Sequence, residues 1–156
     1  TKHHGGNDKA VYAYSREELD YWQSELSRPL ASGGFVENLT TQGIDLSAVL
    51  INQRVRIGTA VLEVSVPRQP CATFAGWLGE RGWLKRWTAR GDCGTYLRII
   101  SPGRIRPGDA IELDSPPSHD ITMRIAFAAK MGDRALARRV IDAGCLPAHQ
   151  QKSLRT

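Results

Sequence analysis

Long apolar runs are absent from these 156 residues. Nothing approaches the roughly 18 consecutive apolar residues that a membrane-spanning helix needs. No secretory apolar core is visible. No C-x-x-C pair occurs, and the three cysteines, Cys71, Cys93 and Cys145, stand at unrelated spacings. A disulfide framework and a four-ligand zinc site are therefore not expected. Free thiols point to a reducing compartment, so a cytoplasmic location is expected. Low-complexity tracts are missing too. With 41% hydrophobic and 24% charged residues, the composition is that of a globular chain and excludes a disordered one. The chain opens on Thr1, not Met, inside a motif-like stretch, so a longer protein whose front end lies outside these residues is expected.

What is present begins with size and charge. This length makes one main domain with room for a small appendage, and it buries enough apolar surface to fold without staples. The net charge is +5. From His119 onward seven basic residues face only Asp120, Asp133 and Asp142, so most of that excess sits in the tail. The asymmetry predicts two parts with different surroundings, or simply a solvated helical face.

The stretch Val64 to Gly76 organises the chain. An alternating strand runs into Pro67 and Pro70 and stops at Cys71. The prolines fix φ and remove two donors, which ends any sheet ladder there. Val66 and Gln69, each before a proline, are biased to extended geometry. A stiff loop with a thiol at its end is the result. Arg68 is close enough in sequence to favour thiolate. A cysteine used as a small apolar residue is the alternative that spacing leaves open.

Around that loop, Lys9–Tyr14 reads as a strand, and Ser15-Arg16-Glu17-Glu18 as a capping box opening a helix to about Leu26. Its apolar stripe is Leu19, Trp22 and Leu26. Phe35 to Thr41 alternates like a strand. Val49–Asn52, Arg54–Ile57 and Ala60–Val66 follow, with Gly58-Thr59 as a hairpin turn. Thr73–Arg90 predicts one or two short helices broken near residues 79–82. Thr95–Ile100 and Ala110–Leu113 are further strands between Gly/Pro turns. Short strands at such spacing predict a mainly β fold, a barrel or sandwich. Beyond Pro116-Pro117 the period becomes helical: 122–131, then Asp133–Ala143 ended by Gly144, then a third helix from Pro147. The expected division is 1–115 for the barrel and 116–156 for a helical segment.

Read together, four motifs in order resemble a MOSC domain of the YiiM type, the family of the molybdenum cofactor sulfurase C-terminal domain. They are K-H-H-G-G-N-D-K-A-V-Y-A-Y, E-N-L-T-T-Q-G, P-R-Q-P-C, and G-D-C-G-T-Y-L-R-I-I-S-P-G-R-I-R-P-G-D. The resemblance covers about Lys2 to Leu113, and the tail resembles the short three-helix segment of that subgroup. It implies a β-barrel, binding of the molybdenum cofactor, and Cys71 as metal ligand. It also implies reduction of N-hydroxylated compounds such as hydroxylamino purines, with an electron-donor protein as partner. Pyridoxal phosphate enters through broader descriptions of the family. Val36 stands where the family has glycine, so a side chain there is expected to narrow the approach to the cofactor. The family's opening strand, which precedes His-Gly-Gly, is not among these residues.

Soft sulfur suits molybdenum, which favours the Cys71 thiolate. The cofactor's phosphate calls for cations and backbone donors, for which Lys2, Lys9 and Arg90 with Gly5, Gly6, Gly91 and Gly94 are candidates. Glu37, Asn38 and Thr41 are candidates for the pterin edge, and Arg68 for charge beside the thiol. His4 is the candidate proton source. Three rivals remain. One is a non-enzymatic carrier of cofactor or sulfur on Cys71. Another is a cysteine hydrolase of Cys71, His4 and Asn38, which lacks an oxyanion-hole pattern. The last is a nucleic-acid module built on the tail, without a groove-reading helix. A membrane partner is not expected; an oligomer is open.

Overall fold

A computed structural model describes residues 7–155, apart from the side chain of Trp77. The sequence folds as six strands and six helices among these residues. β1 (Val11–Ser15) leads directly into α1 (Arg16–Leu26), because Ser15 turns from strand into N-cap and accepts from the Glu18 N–H at 3.1 Å. Glu18 does not close the reciprocal half of the capping box. Its carboxylate takes Arg90 in a bidentate pair at 3.0 and 2.8 Å. α1 ends at Ser27, in the left-handed region at φ 53°, two residues before Pro29.

The segment expected as a strand over 35–41 is a strand only at β2 (Leu39–Thr41). Before it, Val36 has φ 65°, which no strand tolerates. The Glu37 carboxylate gathers the N–H groups of Gly33 and Phe35 and the Thr40 hydroxyl, at 2.8, 3.0 and 2.7 Å. Those bonds replace the sheet ladder with a closed loop. Likewise 49–52 is not a strand. It forms one bridge, Leu50 to Thr122, and then turns at Asn52, φ 69°.

β3 (Arg54–Ile57) and β4 (Ala60–Val64) form the hairpin across Gly58-Thr59. α2 (Ala72–Leu78) and α3 (Trp83–Arg90) follow, separated by Gly79 and Gly82, both at positive φ. β5 (Thr95–Ser101) and β6 (Ile111–Leu113) complete the sheet. Its order is β2-β1-β5-β4-β3-β6, with only β1 and β2 parallel. The sheet curls into a half-barrel. β1 and β5 come so close at Gly94, φ 68°, that a Cβ there would collide with the Ala13 carbonyl. Only glycine serves there.

The tail folds as α4 (Met123–Lys130), α5 (Arg134–Ala143) and α6 (Ala148–Ser153). Thr122 and Asp133 cap the first two through Ile125 N–H and Leu136 N–H, and Gly144 stops α5. These helices do not stand apart. Met123, Ala126, Phe127, Val140 and Leu146 join the same buried cluster as Tyr14, Val64 and Trp87. Trp22, Phe35, Phe74, Trp83 and Trp87 pack edge to face, with centroids 4.5 to 5.6 Å apart. Burying each such ring stabilises the fold by about 2–3 kcal/mol. The tryptophans of α3 thus face inward and offer no stacking platform to nucleic acid.

Candidate functional site at the end of the proline-braced loop

The loop begins where β4 stops. Past Val64 the chain stays beside β5: Ser65 N–H reaches the Tyr96 carbonyl at 3.0 Å, and Tyr96 N–H reaches the Val66 carbonyl at 3.1 Å. Pro67, buried, then has no donor to continue. The chain leaves the sheet at Tyr96 and arrives at Cys71, the N-cap position of α2. The Cys71 side chain is exposed and caps nothing. Cys93 is the opposite case. Buried at 2% exposure, its thiol is pushed up to about 12 by desolvation, so it stays protonated. Cys145 is half-buried, and burial raises it as well.

Arg68 fixes the loop from below. Its guanidinium lies between the rings of Tyr12 and Phe74, at 4.6 and 4.3 Å, and donates to the Phe35 carbonyl at 2.5 Å. Its role in the structure is to brace, tying the Cys71 loop to β1, to α2 and to the Gly33–Asn38 loop. Tyr96 stands beside the thiol. Its pKa is raised by burial, offset in part by Arg68 and increased further by the charge of Cys71. It remains a neutral hydroxyl at physiological pH. The Lys9 ammonium sits 5.5 Å from the centre of the Tyr96 ring. Arg98, on β5, holds the Lys9 segment in place. It bonds Asp8 at 3.0 Å, Glu63 at 2.5 Å and the Asn52 side chain at 3.2 Å, and is 8% exposed.

Of the residues named from sequence, Cys71, Arg68 and Lys9 gather around Tyr12 and Tyr96. Asn38 is exposed and clamps β1, accepting from Tyr12 N–H at 2.8 Å and donating its own N–H to the Tyr12 carbonyl at 2.9 Å. Glu37 is 7% exposed, with its carboxylate given to its own loop. Thr41 is buried, and its hydroxyl has no hydrogen-bond partner among the described residues. It lines the apolar interior of the half-barrel with Val55, Val64 and Leu97. Arg90 pairs with Glu18 and lies 3.6 Å over the Tyr21 ring, and none of these contacts involves the Cys71 loop. Gly91 and Gly94 flank the α3–β5 turn. Lys2, His4, Gly5 and Gly6 lie outside the described residues.

Tyr96, Arg98 and Lys130 were not singled out from sequence. Tyr96 stands inside a matched motif, where its strand-typical residue type hid it. Arg98 stands inside a strand, where nothing in the pattern marks its partners. Lys130 read as part of a basic helical face.

No cluster of three or more His, Cys, Asp or Glu side chains able to hold a metal occurs among the described residues. A metal that brings its own sulfur donors needs only one protein thiolate. The exposed Cys71 sulfur fits that requirement.

A sequence model described as the MOSC domain matches residues 1–112. The uncharacterized protein YflK of Bacillus subtilis is 39% identical over 123 residues, 79% of this chain and 56% of that protein. Protein YiiM of Escherichia coli is 32% identical over 130 residues, 81% of this chain and 58% of its own length. A protein named reductase in Gibberella moniliformis is 33% identical over 119 residues, which span 21% of it. The chain thus spans little more than half of the first two relatives and a fifth of the third. The crystal structure of YiiM from Geobacillus stearothermophilus superposes with a TM-score of 0.84 at 28% identity, over 97% of this chain and 79% of that one.

Proposed function

The chain belongs to the MOSC domain family, and from that premise we propose that it binds the molybdenum cofactor through Cys71 and reduces N-hydroxylated compounds, hydroxylamino purines among them. The observation that carries the proposal is one exposed thiol at the end of a loop braced by Pro67, Pro70 and the stacked Arg68. The name reductase on one relative agrees with it. Residues 1–115 carry the cofactor in this reading, and 116–156 form a helical cover.

When bound, the cofactor supplies two electrons that, with two protons, convert an N-hydroxyl group to an amine and water. The protein's residues do the rest. Cys71 offers its sulfur as thiolate, and the Lys9 ammonium stands 5.5 Å from the centre of the Tyr96 ring. Tyr96 keeps its proton and presents a hydroxyl donor beside the thiol. Arg68, sandwiched and hydrogen-bonded, cannot swing into the site, so the loop holds its aim while charge builds up. His4 is the proposed source of a proton. Electrons come from a separate donor protein, and a cytoplasmic setting goes with free thiols.

Metal analysis of the purified protein beside Cys71→Ala tests the assignment. Molybdenum is expected in the parent and at background in the variant. The exposed side chain caps nothing, so folding stability should change by less than about 0.5 kcal/mol. Equal molybdenum in both removes Cys71 as ligand. Molybdenum retained by the parent without reduction of any hydroxylamine substrate, electron donor supplied, leaves a carrier in place of an enzyme.

A further inference from the structure

A cavity of about 310 Å³ opens between the Cys71 loop and the three tail helices. Gln69, two residues before Cys71, lines one side. Lys130 at the end of α4, Arg134 at the start of α5 and Ser153 at the end of α6 line the other. Among the described residues no carboxylate lines it. The adjacent Asp133 faces its own helix and accepts the Leu136 N–H at 3.0 Å. The Lys130 ammonium is half-buried and donates to Ser153 Oγ at 2.5 Å. Burial lowers its pKa, and Lys9, the cation beside Tyr96, lowers it further. Lys130 and Arg134 put two positive charges on one wall of the cavity. Like charges beside a cavity raise the free energy of the empty state, and an anion seated against them lowers it.

We propose that this cavity seats the phosphate of the substrate, so that the compounds reduced at Cys71 are N-hydroxylated nucleotides in preference to free bases. The proposal rests on the reductase reading and names its substrate class. A phosphate monoester carries close to two charges at neutral pH and three acceptor oxygens. Lys130 and Arg134 match the charge, and Gln69 and Ser153 add neutral polar groups. The volume holds a phosphate and part of a ribose. One other source of the same chemistry exists, the phosphate of the cofactor itself. Position argues for substrate: Lys130, Arg134 and Ser153 all lie beyond residue 112, where the match to the cofactor-binding family ends.

The test uses the full chain, its Lys130→Met variant and its Arg134→Gln variant, the last at an exposed position that leaves folding intact. Calorimetry with adenosine 5′-monophosphate and with adenosine reads the cavity without any turnover. The monophosphate is expected to bind about tenfold or more tighter, and each variant to lose about that factor. With cofactor-loaded protein, kcat/KM for a hydroxylaminopurine ribonucleoside monophosphate over that for the free base should fall by a similar factor in both variants, with bound pterin unchanged. Equal binding of nucleoside and nucleotide overturns the proposal. So does loss of pterin in the variants with the substrate ratio unmoved, which would assign the cavity to the cofactor's phosphate. Base and nucleotide reduced equally well overturns it and leaves the reductase standing. Preferential nucleotide binding with neither compound reduced supports the phosphate site and overturns the reductase.

Discussion

Val36 has a β-branched side chain at φ 65° and is 65% exposed, so it bears strain with little burial in return. A left-handed conformation costs an ordinary residue about 1–2 kcal/mol, and glycine avoids most of it. The loop does not relax because Glu37 and Arg68 hold both of its ends. Val36→Gly is expected to raise stability by about 0.5–1 kcal/mol after the greater entropy of unfolded glycine is counted. A higher urea midpoint at unchanged slope would establish this. A lower one would mean that the valine packs in a way its exposure hides. The strain also gives a physical reason to expect glycine at this position: the backbone itself demands left-handed geometry, whatever lies outside it.

The junction of α3 with β5 buries a carboxyl group that is not ion-paired among the described residues. Asp92 is 8% exposed, and burial, then Glu18, raises its carboxyl to about 6. The sign follows from linkage. A folded-state value above the unfolded 3.8 means that the native protein holds the proton more tightly. Stability therefore falls as pH rises from about 4 to 6, and the ionised group costs roughly 3 kcal/mol above that range. Asp92→Asn keeps an oxygen for the Gly94 N–H, now bonded at 3.3 Å, and has nothing to ionise. The variant should gain stability over the parent at pH 7.5 and little at pH 4. Denaturation curves at the two pH values measure it, and an equal effect at both would refute the buried-charge account.

Across the whole molecule, barrel and tail share one core. Phe127 of α4 lies 5.7 Å from Trp87 of α3, ring centre to ring centre, and is 1% exposed. Ile51 N–H reaches the Ile121 carbonyl at 3.0 Å, and Met123 N–H reaches the Val49 carbonyl at 2.8 Å. A chain joined this way unfolds as one unit. Phe127→Ala should cost about 3–5 kcal/mol and shift tryptophan fluorescence and far-ultraviolet ellipticity together. Two separated transitions would show that the segments on either side of residue 115 fold independently. The same packing sets Lys130 and Arg134 opposite Gln69, which no reading of the tail by itself could place.

Local signals in the chain were enough for much of this protein. Ser15, Thr122 and Asp133 start helices because short polar side chains satisfy free N–H groups. Gly144 stops one because it adopts positive φ cheaply. Pro67 and Pro70 end a ladder because they lack donors, and that alone set Cys71 at a loop end. Motif order identified the family. Tertiary structure decided the rest, since a charge has no partner until the chain closes. Arg68 became a brace for the thiol's loop, because two rings, Tyr12 and Phe74, enclose it. Glu37 turned from ligand candidate into the knot of its own loop. Arg98, unremarked within its strand, and Lys130, part of a basic helical face by pattern, took their roles from groups up to 90 residues away in sequence.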